Sequence, residues 1–239
     1  NNIGAKGLTG EAYNGHAFWD TETYGLPFYL LSDPAAARHL LLYRYHTLSQ
    51  AMERARQLDL VGACYPIATM DGTEACTLWQ HSSLQMQPST SVAYAIQTYA
   101  DMTGDTAFLH REGAEMLVQI ARYVLARGGW NEHGFGFYGV MGPNEFHMMV
   151  SNDFYTNYLG KKTLAYAAEV VGSIRGEALE ALRQKTGLAD GEAAAWREAA
   201  EKIILLRRVD GVFEQHEGYF SLPHIDVQSI PTEDFPLYD

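Results

Sequence analysis

One glycine, Gly104, separates two stretches of helical periodicity, the first over about 89–103 and the second opening at Asp105 or Thr106 and running to about 127. A glycine just past the last periodic residue closes a helix, and so short a link makes the two helices antiparallel. Met116, Leu117, Ile120, Val124 and Leu125 fall on one face of the second helix and form its buried stripe. The same grammar recurs along the chain. Asp33 is an N-cap and Pro34 suits a first helical position, so a helix starts there and continues to about 58, with Leu41, Tyr45, Leu48, Met52 and Ala55 on one face. Further helices are predicted over about 153–171, 173–186 and 190–208, the last capped by Asp190 and carrying Trp196, Ala199, Ile203 and Leu206. A segment over 22–31, interrupted by Pro27, reads as a helix with proline in its first turn or as a broken helix.

Between these helices lie long segments of a different kind. Residues 62–88 hold Gly62, Pro66, Gly72 and Pro88 and follow no regular period, which predicts a long structured loop, a class of loop that usually carries function. Alternating glycines and aromatics over 134–142 predict a short extended segment or hairpin, and 212–222 has the alternation of a second extended stretch. Beyond Pro223 the pattern is irregular. Helix pairs with short links on one side and long glycine-rich loops on the other describe an all-α chain, an α/α barrel or a solenoid. No repeat of fixed length is visible, which argues against a regular solenoid.

Composition narrows the function. The chain has 239 residues, 47% of them apolar, enough for one sizeable core. Its formal net charge of −12 argues against nucleic acid, which needs a basic face to displace counterions, whereas a few local donors still suffice for phosphate. No apolar run approaches a membrane span and no signal pattern opens the sequence, so no membrane partner and a cytoplasmic location are expected. No glycine-rich nucleotide loop is present. Cys64 and Cys76 lack ligand spacing and read as buried small residues. His16, His81 and His147 also lack a metal spacing and read as hydrogen-bonding groups, so no metal or other cofactor is expected.

The candidate chemistry centres on 139–156. Gly142 and Pro143 break the preceding run, which puts Asn144 and Glu145 on a turn. Phe146, Met148, Met149 and Phe154 would give Glu145 an apolar setting that favours the protonated form a general acid needs; the alternative is a turn or capping carboxylate. Asn144 would orient Glu145 or a ligand. Asp71 and Glu74, on the long loop, either line a cleft or satisfy the loop's own backbone donors. Lys161 and Lys162 fall within a helix and suit a solvated face.

Three blocks in order, Gly-His-Ala-Phe-Trp-Asp-Thr-Glu over 15–22, Tyr-Pro-Ile-Ala-Thr-Met-Asp-Gly-Thr-Glu over 65–74, and Gly-Pro-Asn-Glu-Phe with Asn-Asp-Phe-Tyr-Thr-Asn-Tyr over 142–158, resemble glycoside hydrolase family 65, the maltose, kojibiose and trehalose phosphorylases. The likeness extends over essentially the whole chain, including Ile-Gly-Ala-Lys-Gly-Leu-Thr-Gly at its start. It implies an (α/α)6 barrel, incomplete here because about seven or eight helical segments stand against the twelve required. A single catalytic barrel domain over 1–239, part of a longer enzyme, is therefore expected, with another copy or the remainder of the same enzyme covering its open flank. The resemblance also implies inverting phosphorolysis of an α-glucoside to β-glucose 1-phosphate, with inorganic phosphate as a substrate, Glu145 as acid, and Trp19 and Asp20 holding the glucosyl ring. Glu22 would assist them, cap the following helix or belong to a buried structural network. The family's phosphate-binding Ser/His segment and its Lys-Gln pair are expected beyond the chain. Gln80-His81 and Gln85-Met86-Gln87 depart from the more acidic pattern of maltose phosphorylases, in a loop that would wall the acceptor site. A hydrolase of the same family and a non-catalytic sugar-binding helical module are the alternatives.

Overall fold

The computed structural model describes residues 2–7 and 12–234. Its helices are α1 (Leu26–Ser32), α2 (Pro34–His46), α3 (Leu48–Gln57), α4 (Trp79–Leu84), α5 (Gln87–Thr103), α6 (Thr106–Phe108), α7 (Ala114–Arg127), α8 (Phe154–Ser173), α9 (Gly176–Thr186) and α10 (Glu192–Glu201). A π-helical turn, Leu109–Gly113, joins α6 to α7, and a two-stranded antiparallel hairpin, β1 (Gly129–Asn131) with β2 (Gly134–Gly136), follows. The chain is mostly helical, and its helices pack neighbour on neighbour, α1 on α2, α2 on α5, α5 on α7 and α8, and α8 on α10. This is a portion of an (α/α) barrel.

The end signals act as the sequence implies. Asp33 accepts the amides of Ala35 and Ala36 at 3.1 and 3.2 Å, Asp105 accepts that of Phe108 at 3.0 Å, and Gly104 is left-handed with φ of +68°. Met116, Leu117, Ile120 and Val124 are fully buried, whereas Leu125 is only half-buried. Other boundaries differ. The helix predicted over 33–58 breaks at Thr47, whose hydroxyl donates back to the carbonyls of Tyr43 and Arg44 and competes with helix continuation. The loop over 62–88 contains α4. Helix α10 ends at Glu201, because Phe135 and Ile203 then pair in a β-bridge. Gly191 occupies its cap position, while Asp190 pairs with Arg183 at 2.8 Å. The strand expected over 212–222 is not formed: one bridge, Arg207 with Phe213, precedes turns and the 3-10 turn Tyr219–Ser221.

Two contacts fix the long loop. Gly62 lies so close to α7 that an added Cβ would come within 2.2 Å of the Gln119 carbonyl, and its φ of +85° is one glycine tolerates. At the loop's far side Ala17 and Thr69 form an antiparallel bridge, with N···O distances of 2.7 and 3.1 Å, that lashes the amino-terminal segment to the loop.

Candidate active site

The amino-terminal segment, the long loop and the Glu145 turn enclose a cleft of about 850 Å³. Trp19, Asp20 and Glu145 all line it, together with Lys6, His16 and His81. Trp19 is half-buried against Tyr24 and Tyr155, with ring centroids 6.2 and 6.1 Å away, so one of its edges is held by packing. Asp20 is exposed, and its carboxylate has no hydrogen-bond partner among the described residues. A π-helical turn, Thr21–Gly25, begins directly after it, a feature that recurs at functional sites.

Glu22 does not reach the cleft. Its side chain is 2% exposed and takes both Nε and Nη2 of the equally buried Arg44, at 2.6 and 2.9 Å. Arg44 also donates to the Phe18 carbonyl at 3.3 Å and lies over the Tyr65 ring. Glu22 thus belongs to a buried network that anchors the Trp19–Asp20 segment to α2.

Asp71 and Glu74 also stand outside the cleft lining. Asp71 is exposed and accepts the amide of Thr73 at 2.9 Å and its hydroxyl at 2.5 Å; these bonds hold its carboxyl below the usual range. Glu74 accepts the amides of Ile67, Ala68 and Cys76 at 2.9, 3.3 and 3.0 Å. The loop's own donors consume both carboxylates, yet Glu74 thereby shapes the wall, because Ile67, Ala68 and Cys76 do line the cleft. Cys76 is half-buried there rather than in the core, whereas Cys64 is buried and its thiol is pushed up to about 11 by desolvation.

Several ties hold the Glu145 turn. Val140 and Val150 pair across its base at 2.9 and 3.0 Å, the Met141 amide donates to the Leu84 carbonyl at 3.1 Å, and Arg127 donates to the carbonyls of Tyr138 and Gly139. Gly142 is required because the Asp153 carboxylate passes where a Cβ would sit, at 2.4 Å. Asn144 builds the turn itself: its side chain accepts the Phe146 amide at 3.3 Å and its carbonyl accepts that of His147, while the residue stays outside the cleft lining. His147 Nδ1 lies 2.9 Å from His216 Nε2, and His216 Nδ1 lies 3.0 Å from the Glu217 carbonyl. That carbonyl only accepts, so in the neutral pair His216 carries its proton on Nδ1 and His147 donates to it.

The apolar collar expected around Glu145 is absent. Phe146, Met148 and Met149 are 79%, 47% and 61% exposed, and Phe154 stacks on Tyr158 and Phe213 instead. Polar groups meet the carboxylate: Gln85 Nε2 donates to Oε1 at 2.9 Å and His81 Nε2 lies 3.3 Å from Oε2. Both partners come from α4 and its end, a stretch whose unusual residues point from sequence to an acceptor wall and not to contact with Glu145. Among the described residues no group of three His, Cys, Asp or Glu side chains could hold a metal ion.

The chain matches the model for the glycosyl hydrolase family 65 central catalytic domain over residues 1–238. It is 35% identical to an α,α-trehalose phosphorylase of Thermoanaerobacter brockii over 99% of this chain and 31% of that one, and 33% identical to a maltose phosphorylase of Bacillus subtilis over the same shares. A structure described as a candidate kojibiose phosphorylase from the human microbiome superposes with a TM-score of 0.92 at 46% identity, over 100% of this chain and 32% of that one. The chain therefore spans about a third of the length of the relatives it matches. Agreement of a family model over nearly every residue with a fold shared at that identity leaves one conclusion, that this chain belongs to glycosyl hydrolase family 65.

Proposed function

We propose that this chain forms the catalytic barrel portion of a longer enzyme that cleaves an α-glucoside with inorganic phosphate, inverting the anomeric centre to give β-glucose 1-phosphate. The observation that carries the reading is that Glu145 lines one cleft with the adjacent Trp19 and Asp20, from which it is far removed in sequence. In this reading the indole packs on a face of the glucosyl ring and the exposed Asp20 carboxylate accepts from its hydroxyls. Glu145 gives its proton to the glycosidic oxygen as the bond from C1 to that oxygen breaks, and a phosphate oxygen forms the new bond to C1 from the opposite face. The leaving sugar departs as the neutral alcohol and Glu145 is left as the carboxylate. Phosphate arrives anionic, so one carboxylic acid suffices and no metal or organic cofactor enters the reaction. Sugar and phosphate are the partners. A second copy or the rest of the enzyme covers the flank on which Phe28 and Leu31 are 65% and 81% exposed. The two free cysteines and the absence, among the described residues, of a helix long and apolar enough to cross a membrane support a cytoplasmic setting.

The test is the product formed by the full-length enzyme from trehalose, maltose and kojibiose, with and without phosphate. Glucose 1-phosphate is expected only when phosphate is present. An inverting hydrolase needs a second carboxylate to activate water, and Asp20 is the only other one among the described residues of the cleft lining. Free glucose released at the same rate without phosphate would establish that alternative and overturn the phosphorylase reading.

A further inference from the structure

Gln85 is a buried side chain whose placement the proposed reaction does not yet use. It is 6% exposed, at the junction between α4 and α5, and its neighbours fix the orientation of its amide. Nε2 faces Glu145 Oε1 at 2.9 Å and the Met141 thioether sulfur at 3.2 Å, two acceptors that both demand a donor. Its carbonyl oxygen is buried and has no hydrogen-bond partner among the described residues. The backbone around it is pinned to the same turn through the Met141 amide and the Leu84 carbonyl.

We propose that Gln85 is a positioning residue for the general acid, a step that rests on Glu145 filling that role. The carbonyl oxygen of a protonated carboxyl is its better acceptor, so the bond to Oε1 favours carrying the transferable proton on Oε2, the oxygen that lies 3.3 Å from His81 Nε2. When Oε2 releases that proton to the leaving sugar, negative charge grows on the carboxyl group and the Nε2–H···Oε1 bond strengthens. The contact is therefore tighter in the transition state than in the ground state, which is what accelerates a chemical step.

The experiment compares two substrates in the full-length enzyme. One is whichever of trehalose, maltose or kojibiose the wild type cleaves; the other is α-glucosyl fluoride with phosphate, whose leaving group needs far less help from an acid. Gln85→Leu is expected to lower kcat on the disaccharide by about 10- to 100-fold, below the ~10²–10³ of removing a donor that touches the reacting oxyanion itself, with KM little changed. On the fluoride the loss should be under about threefold. Equal losses on both substrates would reduce Gln85 to a structural role, and no loss on either would remove it altogether. Gln85→Glu keeps the shape and decides the matter if the leucine variant folds poorly. Its new carboxyl can donate to Oε1 only when protonated, so activity on the disaccharide should be low at neutral pH and rise as pH falls. A pH profile superposable on that of the wild type would overturn the inference. Glu145→Gln, measured alongside, separates the two levels: if it keeps its activity, the acid assignment itself fails, and if it alone is inactive while the Gln85 variants match wild type, only the positioning role fails.

Discussion

Glu145→Gln is expected to lower turnover on an α-linked disaccharide by about 10²–10⁴-fold while leaving the fold intact. The amide cannot deliver a proton to the glycosidic oxygen, and the leaving sugar would then have to depart as an alkoxide. The fold should tolerate the change because the side chain is 55% exposed and its packing is light. Steady-state rates on the disaccharide with saturating phosphate give the size of the effect, and a thermal melt confirms that the variant is folded. Retention of most of the activity would take Glu145 out of the mechanism. KM for the disaccharide should move little, since the amide still fills the same space and the proton transfer belongs to the transition state.

Arg44→Met should destabilise the protein by about 3–5 kcal/mol, the cost of leaving a buried partner charge uncompensated. Glu22 would then hold a carboxylate at 2% side-chain exposure, its two hydrogen bonds from Arg44 both lost. The Phe18 carbonyl would lose a donor as well. For a chain of this size the loss corresponds to a fall in melting temperature of roughly 10 °C. Adding Glu22→Leu should restore part of the loss, because two apolar side chains in place of a buried ion pair are far less costly than one stranded charge. A single Arg44→Met variant that melts within a degree or two of wild type would show that the pair does not anchor the segment. The consequence for binding follows from geometry. Trp19 and Asp20 sit on the stretch that this pair fastens to α2, so the double variant should bind glucosyl substrates more weakly even where its stability recovers.

Local rules carried much of the fold. Asp33 and Asp105 cap, Gly104 terminates, and the stripe on α7 is buried as its period implies. They failed where a distant contact decides the outcome. Thr47 has an ordinary helical environment in sequence, but its back-bonded hydroxyl and the approach of Gly72, where an added Cβ would lie 2.5 Å from the Thr47 side chain, break the helix there. Ile203 continues the apolar stripe of α10 and is instead drawn off by β2. The site divides in the same way. Motif resemblance named Trp19, Asp20 and Glu145, which converge on the cleft, but it could not separate a carboxylate that faces the cleft from one that serves the scaffold. Glu22 is neutralised by an arginine 22 positions away, and Glu74 is consumed by three amides of its own loop. Neither partnership leaves a periodic or compositional trace. The apolar residues after Glu145 misled for a related reason: adjacency in sequence gave Phe146 and Met149 to its surroundings, while the turn swings both into solvent and hands the carboxylate to Gln85 and His81, some 60 residues earlier.

The central claim is a single displacement in which one acid assists departure and phosphate attacks the opposite face. It is tested most directly by proton NMR of the first glucose 1-phosphate formed by the wild-type full-length enzyme from its α-linked substrate. The β-anomer, appearing from the earliest spectrum, is the predicted product. Initial formation of the α-anomer would mean net retention, through two successive displacements or attack on the same face, and would contradict the account.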